Sequence, residues 1–279
     1  MDTISSLEQI KKITLELNKI GKTIGFIPTM GALHAGHLKL IRESKIKNDK
    51  TIVSIFVNPT QFSPTEDLAK YPRPFEQDKK LLKQEKVEYL FHPDAKTMYP
   101  NGFQTNVVTT KLSNILEGKS RPGHFSGMAT VVLKLFNIVQ PTNTYFGQKD
   151  FQQSVIVKQM IRDLNLPINI NVVPTVRDKD GLALSSRNIF LSIQERTQAL
   201  NLYQSLLLAK KLIREGNKNV EFIKIEMKNY LQKYELLRLD YIEICNPEDL
   251  SLLKVVSKKT VILIAAYVGK TRLIDNIII

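Results

Sequence analysis

Two kinds of apolar segment alternate along the first part of the chain, and this alternation constrains the fold more than any other feature. Residues 23–28, 51–57, 87–91, 144–146 and 168–174 read as short strands, while 36–47, 75–84, 127–139 and 151–164 carry helical spacing. Strands separated by helices predict a parallel sheet covered on both faces, a Rossmann-like α/β layer structure. In such sheets ligands gather beyond the C-terminal ends of the strands. Beyond Val176 the pattern changes. Residues 177–188 are polar and turn-rich, two helical patterns follow at 194–215 and 220–234, and strands return at 239–244, 260–267 and 273–278. The expected organisation is therefore a Rossmann-like domain over 1–175 and a smaller α+β domain over 176–279.

Three polar runs fall where strands of the first domain end. Pro28-Thr29-Met30-Gly31-Ala32-Leu33-His34-Ala35-Gly36-His37 leaves the first strand and enters a helix. A helix N-terminus carries unpaired N–H groups and a partial positive charge, so it favours phosphate, and imidazoles placed there add donors. Gly36 permits close approach of a ligand to the backbone. The zinc alternative is poor, because the histidines are spaced i, i+3 and no third ligand lies nearby. The second run is Phe56-Val57-Asn58-Pro59-Thr60-Gln61-Phe62, and the third is Tyr145-Phe146-Gly147-Gln148-Lys149-Asp150. Lys149 suits a triphosphate, although a solvated loop lysine reads the same way. Asp150 suits a helix cap. Between the two expected domains, Leu182-Ala183-Leu184-Ser185-Ser186-Arg187-Asn188 offers hydroxyls and a guanidinium fit for phosphate oxygens, or alternatively a capping turn. Gln61 and Gln153 are amides suited to a hydroxylated substrate, or ordinary polar residues.

Other resemblances to motifs fail. Gly269-Lys270-Thr271 ends like a phosphate loop, but Ile264 stands where the first glycine is required. Asp178-Lys179-Asp180-Gly181 begins like a calcium loop, but Arg187 takes the position of its final glutamate. His92 and Cys245 read as structural. The single cysteine excludes an intramolecular disulfide framework. No apolar run reaches the length of a membrane span. Nor does the N-terminus have the layout of a secretory signal, so a soluble cytoplasmic protein is expected. The net charge of +13 is spread over separate lysine pairs, there is no tryptophan, and no aromatic-interleaved basic motif occurs. A solvated surface that draws in anionic small molecules is favoured over nucleic-acid binding.

Taken in order, the runs at 27–37, 56–62, 71–73, 121–135, 145–153 and 176–188 resemble the pantoate–β-alanine ligases. So do the tail segments Asp240-Tyr241-Ile242-Glu243 and Thr271-Arg272-Leu273-Ile274-Asp275-Asn276. These enzymes belong to the nucleotidyltransferase superfamily. The resemblance covers nearly the whole chain and implies ATP-dependent condensation of (R)-pantoate with β-alanine, through a pantoyl adenylate, to pantothenate, AMP and pyrophosphate. It further implies an ATP site lined by Met30, Gly31, Ala32, Leu33, His34, Ala35, Gly36 and His37, by Gly147, Gln148, Lys149 and Asp150, and by Val176, Leu184, Ser185, Ser186 and Arg187. His37, His34, Lys149, Ser185, Ser186 and Arg187 form the implied catalytic set, with His37 acting at the leaving group. Gln61 and Gln153, with Asn58, are the implied contacts to pantoate and β-alanine, and Arg121 is a lesser candidate. Mg²⁺ is the implied ion, with Asp78 a neighbour of the metal and the ligands otherwise unassigned. The C-terminal domain is expected to act as a lid, and the protein to be a homodimer. One departure stands out: Gln148 occupies a position where glutamate is expected. Two other readings fit the residues alone, namely a different nucleotidyltransferase with the same histidine motif and a non-catalytic nucleic-acid-binding module.

Overall fold

The computed structural model describes residues 1–62 and 68–279. In chain order the elements are β1 (Asp2–Ile4), α1 (Leu7–Lys19), β2 (Ile24–Thr29), α2 (Ala35–Lys47), β3 (Lys50–Ile55), α3 (Phe75–Gln84), β4 (Tyr89–Phe91), α4 (Ala95–Met98), α5 (Glu117–Ser120) and α6 (His124–Val139). These are followed by β5 (Asn143–Gly147), α7 (Phe151–Asp163), β6 (Asn169–Val173), α8 (Ile193–Arg214), α9 (Val220–Leu231), β7 (Leu237–Cys245), β8 (Val261–Val268) and β9 (Thr271–Ile278). No helix among the described residues is long and apolar enough to cross a membrane.

The chain divides into two compact units: Met1–Gly147 with Ile156–Val173, and Gln148–Val155 with Pro174–Ile279. The first unit carries a six-stranded, all-parallel sheet in the order β1-β4-β3-β2-β5-β6. Its central strands are apolar on both faces, as a sheet covered on two sides requires. Ile24, Phe26 and Ile27 of β2 and Ile52 and Val53 of β3 are fully buried. Each such side chain contributes about 2 kcal/mol. One layer of packing joins Ile27, Val53 and Leu90 from the sheet to Leu40 and Ile41 of α2 and Leu82 of α3. The sheet order reverses direction at β2, which has β3 on one side and β5 on the other, so the segments following β2 and β5 leave neighbouring strands. That is the kind of switch point where open α/β sheets place ligands.

β1 and α1 are additions to the sequence reading. A three-residue strand is too short to show periodicity. The helix has a legible signal: Ser6 caps it by accepting from the Gln9 N–H, and Ile10, Thr14 and Leu17 fall on one buried face.

The second unit is a three-stranded antiparallel sheet, β7-β8-β9, with α8 and α9 packed on it. Its core joins Leu202 and Leu206 of α8, Ile223 and Met227 of α9, and Ile242, Ile244, Ile262 and Ile264 of the sheet. Gln148–Val155 packs with this unit, although the sequence boundary near 175 placed it with the first. The cause is polar: Asn276 of β9 holds the carbonyls of Gln148 and Lys149.

Candidate active site

The loop between β2 and α2 is tied down from within. Thr29 Oγ1 accepts from the Gly31 N–H at 3.2 Å and donates to the Ser54 carbonyl at 2.7 Å. Asp78, buried on α3, accepts from the N–H groups of Ala32 at 2.8 Å and Leu33 at 2.7 Å, one on each carboxylate oxygen. Gly31 and Ala32 both have positive φ, so the chain makes a tight left-handed turn around that carboxylate. Burial pushes the Asp78 carboxyl above its ordinary value, while the two N–H donors pull it back. Asp78 therefore holds the loop through both of its carboxylate oxygens.

The helix that follows is capped by its own histidines. The Gly36 N–H donates to His34 Nδ1 at 3.2 Å, and the His34 N–H donates to His37 Nδ1 at 3.3 Å, a reciprocal capping box with imidazoles in place of the usual hydroxyl and carboxylate. The two rings lie 4.1 Å apart, centroid to centroid. Because each Nδ1 accepts a backbone N–H, the neutral imidazoles carry their proton on Nε2. The backbone N–H groups of Gly31, Ala32, Leu33, His34 and Gly36 all have partners within the protein. These five amides are therefore engaged within the protein. Donors at this helix start come from imidazole Nε2–H groups oriented by the cap. Gly36 also has a reason to be glycine: a Cβ there would lie 2.9 Å from His34 Cε1 and Nδ1.

Gln61 ends a 3₁₀ turn, Pro59–Gln61, just after β3. Its side chain is buried between two neighbours, with Nε2 donating to Met30 Sδ at 2.9 Å and Oε1 accepting from Asn58 Nδ2 at 3.0 Å. Asn58, buried in turn, donates to the Gly127 carbonyl at 3.1 Å and accepts from Tyr99 OH at 2.7 Å. The start of α6 touches this turn backbone to backbone. A Cβ on Gly127 would sit 2.2 Å from the Thr60 carbonyl oxygen. Asn58 thus orients Gln61 through its Nδ2, while its Oδ1 is held by Tyr99 and Thr60. His124, which the sequence reading passed over, accepts at Nε2 from Arg121 at 3.0 Å and donates from Nδ1 to the Gln61 carbonyl at 2.8 Å. His92 is structural, bonded to the Ile55 carbonyl and stacked on Phe75.

The second unit assembles the remaining candidates. Gln148–Asp150 forms a 3₁₀ turn leading into α7, and Lys149 Nζ lies 3.6 Å from Asp150 Oδ1. Gln153 follows, half-buried on the first turn of α7. Val176 and Leu184 face each other across a hairpin, with the Leu184 N–H donating to the Val176 carbonyl at 3.0 Å. Arg177 fixes that hairpin from inside. It donates to the Gly181 carbonyl, pairs with Asp275 at 2.6 and 2.9 Å, and stacks on Tyr203 at 3.6 Å. Ser185 caps the 3₁₀ turn Ser186–Phe190 by accepting from the Arg187 N–H at 3.2 Å, so the capping alternative holds for its Oγ. Asp178 and Asp180 both pair with Arg196, which accounts for the calcium-loop lookalike. Lys149, Ser185, Asn188, Tyr203 and Asp275 line one pocket, and Asn188 Oδ1 is buried there without a hydrogen-bond partner. A buried acceptor of this kind calls for a donor from a ligand or water. Among the described residues no group of three or more histidine, cysteine or carboxylate side chains could hold a metal ion.

The family model described as pantoate-beta-alanine ligase matches residues 2–278. A pantothenate synthetase of Thermotoga petrophila is 51% identical over 279 residues, covering all of both chains. One of Thermosipho africanus is 53% identical over the same length and coverage. Among solved structures, a pantothenate synthetase of Thermus thermophilus superposes with a TM-score of 0.94 at 41% identity, covering 99% of each chain. A pantoate-beta-alanine ligase of Francisella tularensis, complexed with beta-gamma ATP and beta-alanine, gives a TM-score of 0.81 at 40% identity, covering 100% of this chain and 97% of its own. With a match that runs from one end to the other, the chain belongs to the pantoate–β-alanine ligase family.

Proposed function

We infer that the protein carries out the reaction of its family, the ATP-dependent condensation of (R)-pantoate with β-alanine to pantothenate, AMP and pyrophosphate through a pantoyl adenylate. The observation that carries the reading at the level of chemistry is the imidazole capping box, which sets two Nε2–H donors at a helix start. Pantoate's carboxylate is ionised at neutral pH and needs no general base to attack the α-phosphorus. The barrier lies in alignment and in the charge that builds on the phosphates and the departing pyrophosphate. His34 and His37 donate to phosphate oxygens from Nε2, with His37 at the leaving group. Lys149 supplies a cation, and Ser186 and Arg187 further donors, while Ser185 and Leu184 shape the hairpin that presents them. Gln61, oriented by Asn58 and Met30, and Gln153 bind pantoate, and Gln61 also reaches β-alanine. In the second step the neutral amine of β-alanine attacks the acyl carbon and AMP leaves. Water must be kept out meanwhile, the role proposed for the domain spanning 176–279.

Mg²⁺ is part of the proposal as an ion that arrives with ATP. Magnesium is commonly held by substrate phosphates with one or two carboxylates. Asp150, beside Lys149 and half-exposed, is the carboxylate we propose for such a role. The ion would neutralise phosphate charge. A homodimer and a cytoplasmic location complete the proposal.

The test is release of pyrophosphate and AMP from purified protein with ATP and Mg²⁺. One equivalent of pyrophosphate per site with pantoate alone, and sustained AMP release only with both substrates, is the expected result. Turnover independent of pantoate would overturn the reading.

A further inference from the structure

We propose that Asp275 and Asn276, adjacent on the last strand, are positioning residues that hold both nucleotide-binding segments of the second unit in register. The inference rests on the reading of Lys149 as a phosphate ligand. Asn276 is buried, and all three hydrogen bonds of its side chain go to two consecutive residues. Nδ2 donates to the carbonyl of Gln148 at 2.9 Å and to that of Lys149 at 3.0 Å, while Oδ1 accepts from Gln148 Nε2 at 3.1 Å. Only a primary amide supplies two donors and an acceptor in this arrangement. The turn bearing Lys149 is thereby fixed at its main chain, and the ammonium is left to reach its ligand from a defined root.

Asp275 does the same for the hairpin. Both its oxygens pair with Arg177, whose guanidinium also donates to the Gly181 carbonyl and stacks on Tyr203. The two residues are locked to each other, because the Asn276 N–H donates to Asp275 Oδ1 at 2.8 Å. A buried, bidentate arginine–carboxylate pair is among the most directional contacts available. One dipeptide therefore links the Lys149 turn to the strand that frames residues 176–187, and displacement of either segment is felt by the other. Gln148 has a role in this arrangement. An amide at 148 can donate to Asn276 Oδ1, whereas a carboxylate there would face that oxygen with an acceptor.

The experiment compares Asn276→Ala, Asn276→Asp, Lys149→Ala and the double variant Asn276→Ala/Lys149→Ala. The readouts are steady-state kinetics in each substrate and equilibrium binding of ATP by calorimetry. The expected result for Asn276→Ala is a KM for ATP and a dissociation constant for ATP each raised about tenfold, with the KM for β-alanine unchanged. Asn276→Asp keeps the volume but turns two donors into acceptors, so it does not restore ATP binding, and it serves as the readout if the alanine variant folds poorly. In the Lys149→Ala background, Asn276→Ala should change ATP binding less than about twofold, because the group it positions is gone. An Asn276→Ala protein that binds ATP normally while Lys149→Ala does not would overturn this inference alone. A uniform loss in all substrates, or full additivity in the double variant, would also overturn it. Normal ATP binding by Lys149→Ala would remove the reading of Lys149 and this inference with it.

Discussion

The start of α2 and the turn that precedes α7 are both proposed to meet the nucleotide, and they are built in opposite ways. The first is held largely by its own sequence neighbours: Thr29 accepts from Gly31, and His34, Gly36 and His37 bond to one another, while Ser54 on β3 and Asp78 on α3 add anchors. The second has Asn276 as its anchor, 127 residues from Lys149, with a side chain that reaches two main-chain carbonyls. A locally closed site keeps its geometry wherever the helix forms. A site closed from a distant strand keeps its geometry only while that strand is in place. The same chemistry, donors offered to phosphate, thus depends on local folding in one place and on tertiary folding in the other.

Removing the donors should produce the largest effects and should break the comparison in different ways. His37→Ala and Lys149→Ala are each expected to lower kcat by about 10²-fold or more, the scale for losing one donor to developing charge. Lys149→Ala should leave the melting temperature unchanged, because the ion pair with half-exposed Asp150 contributes little. His37→Ala should also cost about 1 kcal/mol of stability, since the His34 N–H loses its acceptor at a helix cap. Kinetics beside thermal melts would show it. A well-folded Lys149→Ala protein with normal turnover would remove that lysine from the mechanism. Equal stability losses in the two variants would remove the contrast.

Asp78→Asn tests the carboxylate that anchors the first site from α3. It replaces a carboxylate oxygen with a donor facing an N–H, and about 2 kcal/mol of destabilisation is expected. The effect depends on pH with a definite sign. Burial is the larger cause and raises the carboxyl above its ordinary value of 3.8. A carboxyl raised on folding contributes fully below its unfolded value and loses that contribution as pH rises through its folded value. The stability gap between wild type and Asp78→Asn should therefore be wider near pH 4 than near pH 7, as urea titrations at the two values would measure. A gap that widens toward pH 7 would mean the two N–H donors outweigh burial.

Gly36→Ala is a smaller and sharper probe. Alanine favours a helix over glycine by about 1 kcal/mol, so stability should not fall greatly. The added Cβ, however, meets the His34 ring at 2.9 Å and must push it aside. The expected result is a KM for ATP raised several-fold with a melting temperature equal to or above that of wild type. An unchanged KM would show that the His34 ring can move without loss.

These contrasts also explain what was legible in the sequence. The alternation of apolar segments was enough for the parallel sheet, because largely buried strands such as Ile24–Thr29 and Lys50–Ile55 carry apolar residues on both faces between helices. The histidine motif was legible because its partners are adjacent. What escaped was whatever is closed over distance. Asp78 reads as a first-turn helix acid until its oxygens are seen on Ala32 and Leu33. His124 looks like a helix-start residue until its ring is found on the Gln61 carbonyl. Asn276 lies in a tail segment that only the resemblance singled out, and no periodicity or spacing links it to Lys149. Nor could the sequence show that the Ala32 N–H, just before α2, is held by an aspartate 46 positions away.

Cys245 supplies the smallest effect and the control that keeps the second region interpretable. It lies on β7, in the same sheet as Asn276 on β9, and is fully buried. Burial, reinforced by Glu243, pushes its thiol up to about 12 from an ordinary value of 9.0. A thiol raised on folding contributes its stability below about 9 and loses it as pH climbs toward 12, so it is neutral and unreactive at neutral pH. Labelling by a thiol reagent should be very slow in the native protein and fast in denaturant, and as the chain has one cysteine the signal has one source. Applied to Asn276→Ala, slow labelling with weakened ATP binding would show an intact sheet and a displaced turn. Fast labelling would show that the sheet itself has opened, and the effect on ATP would then belong to folding.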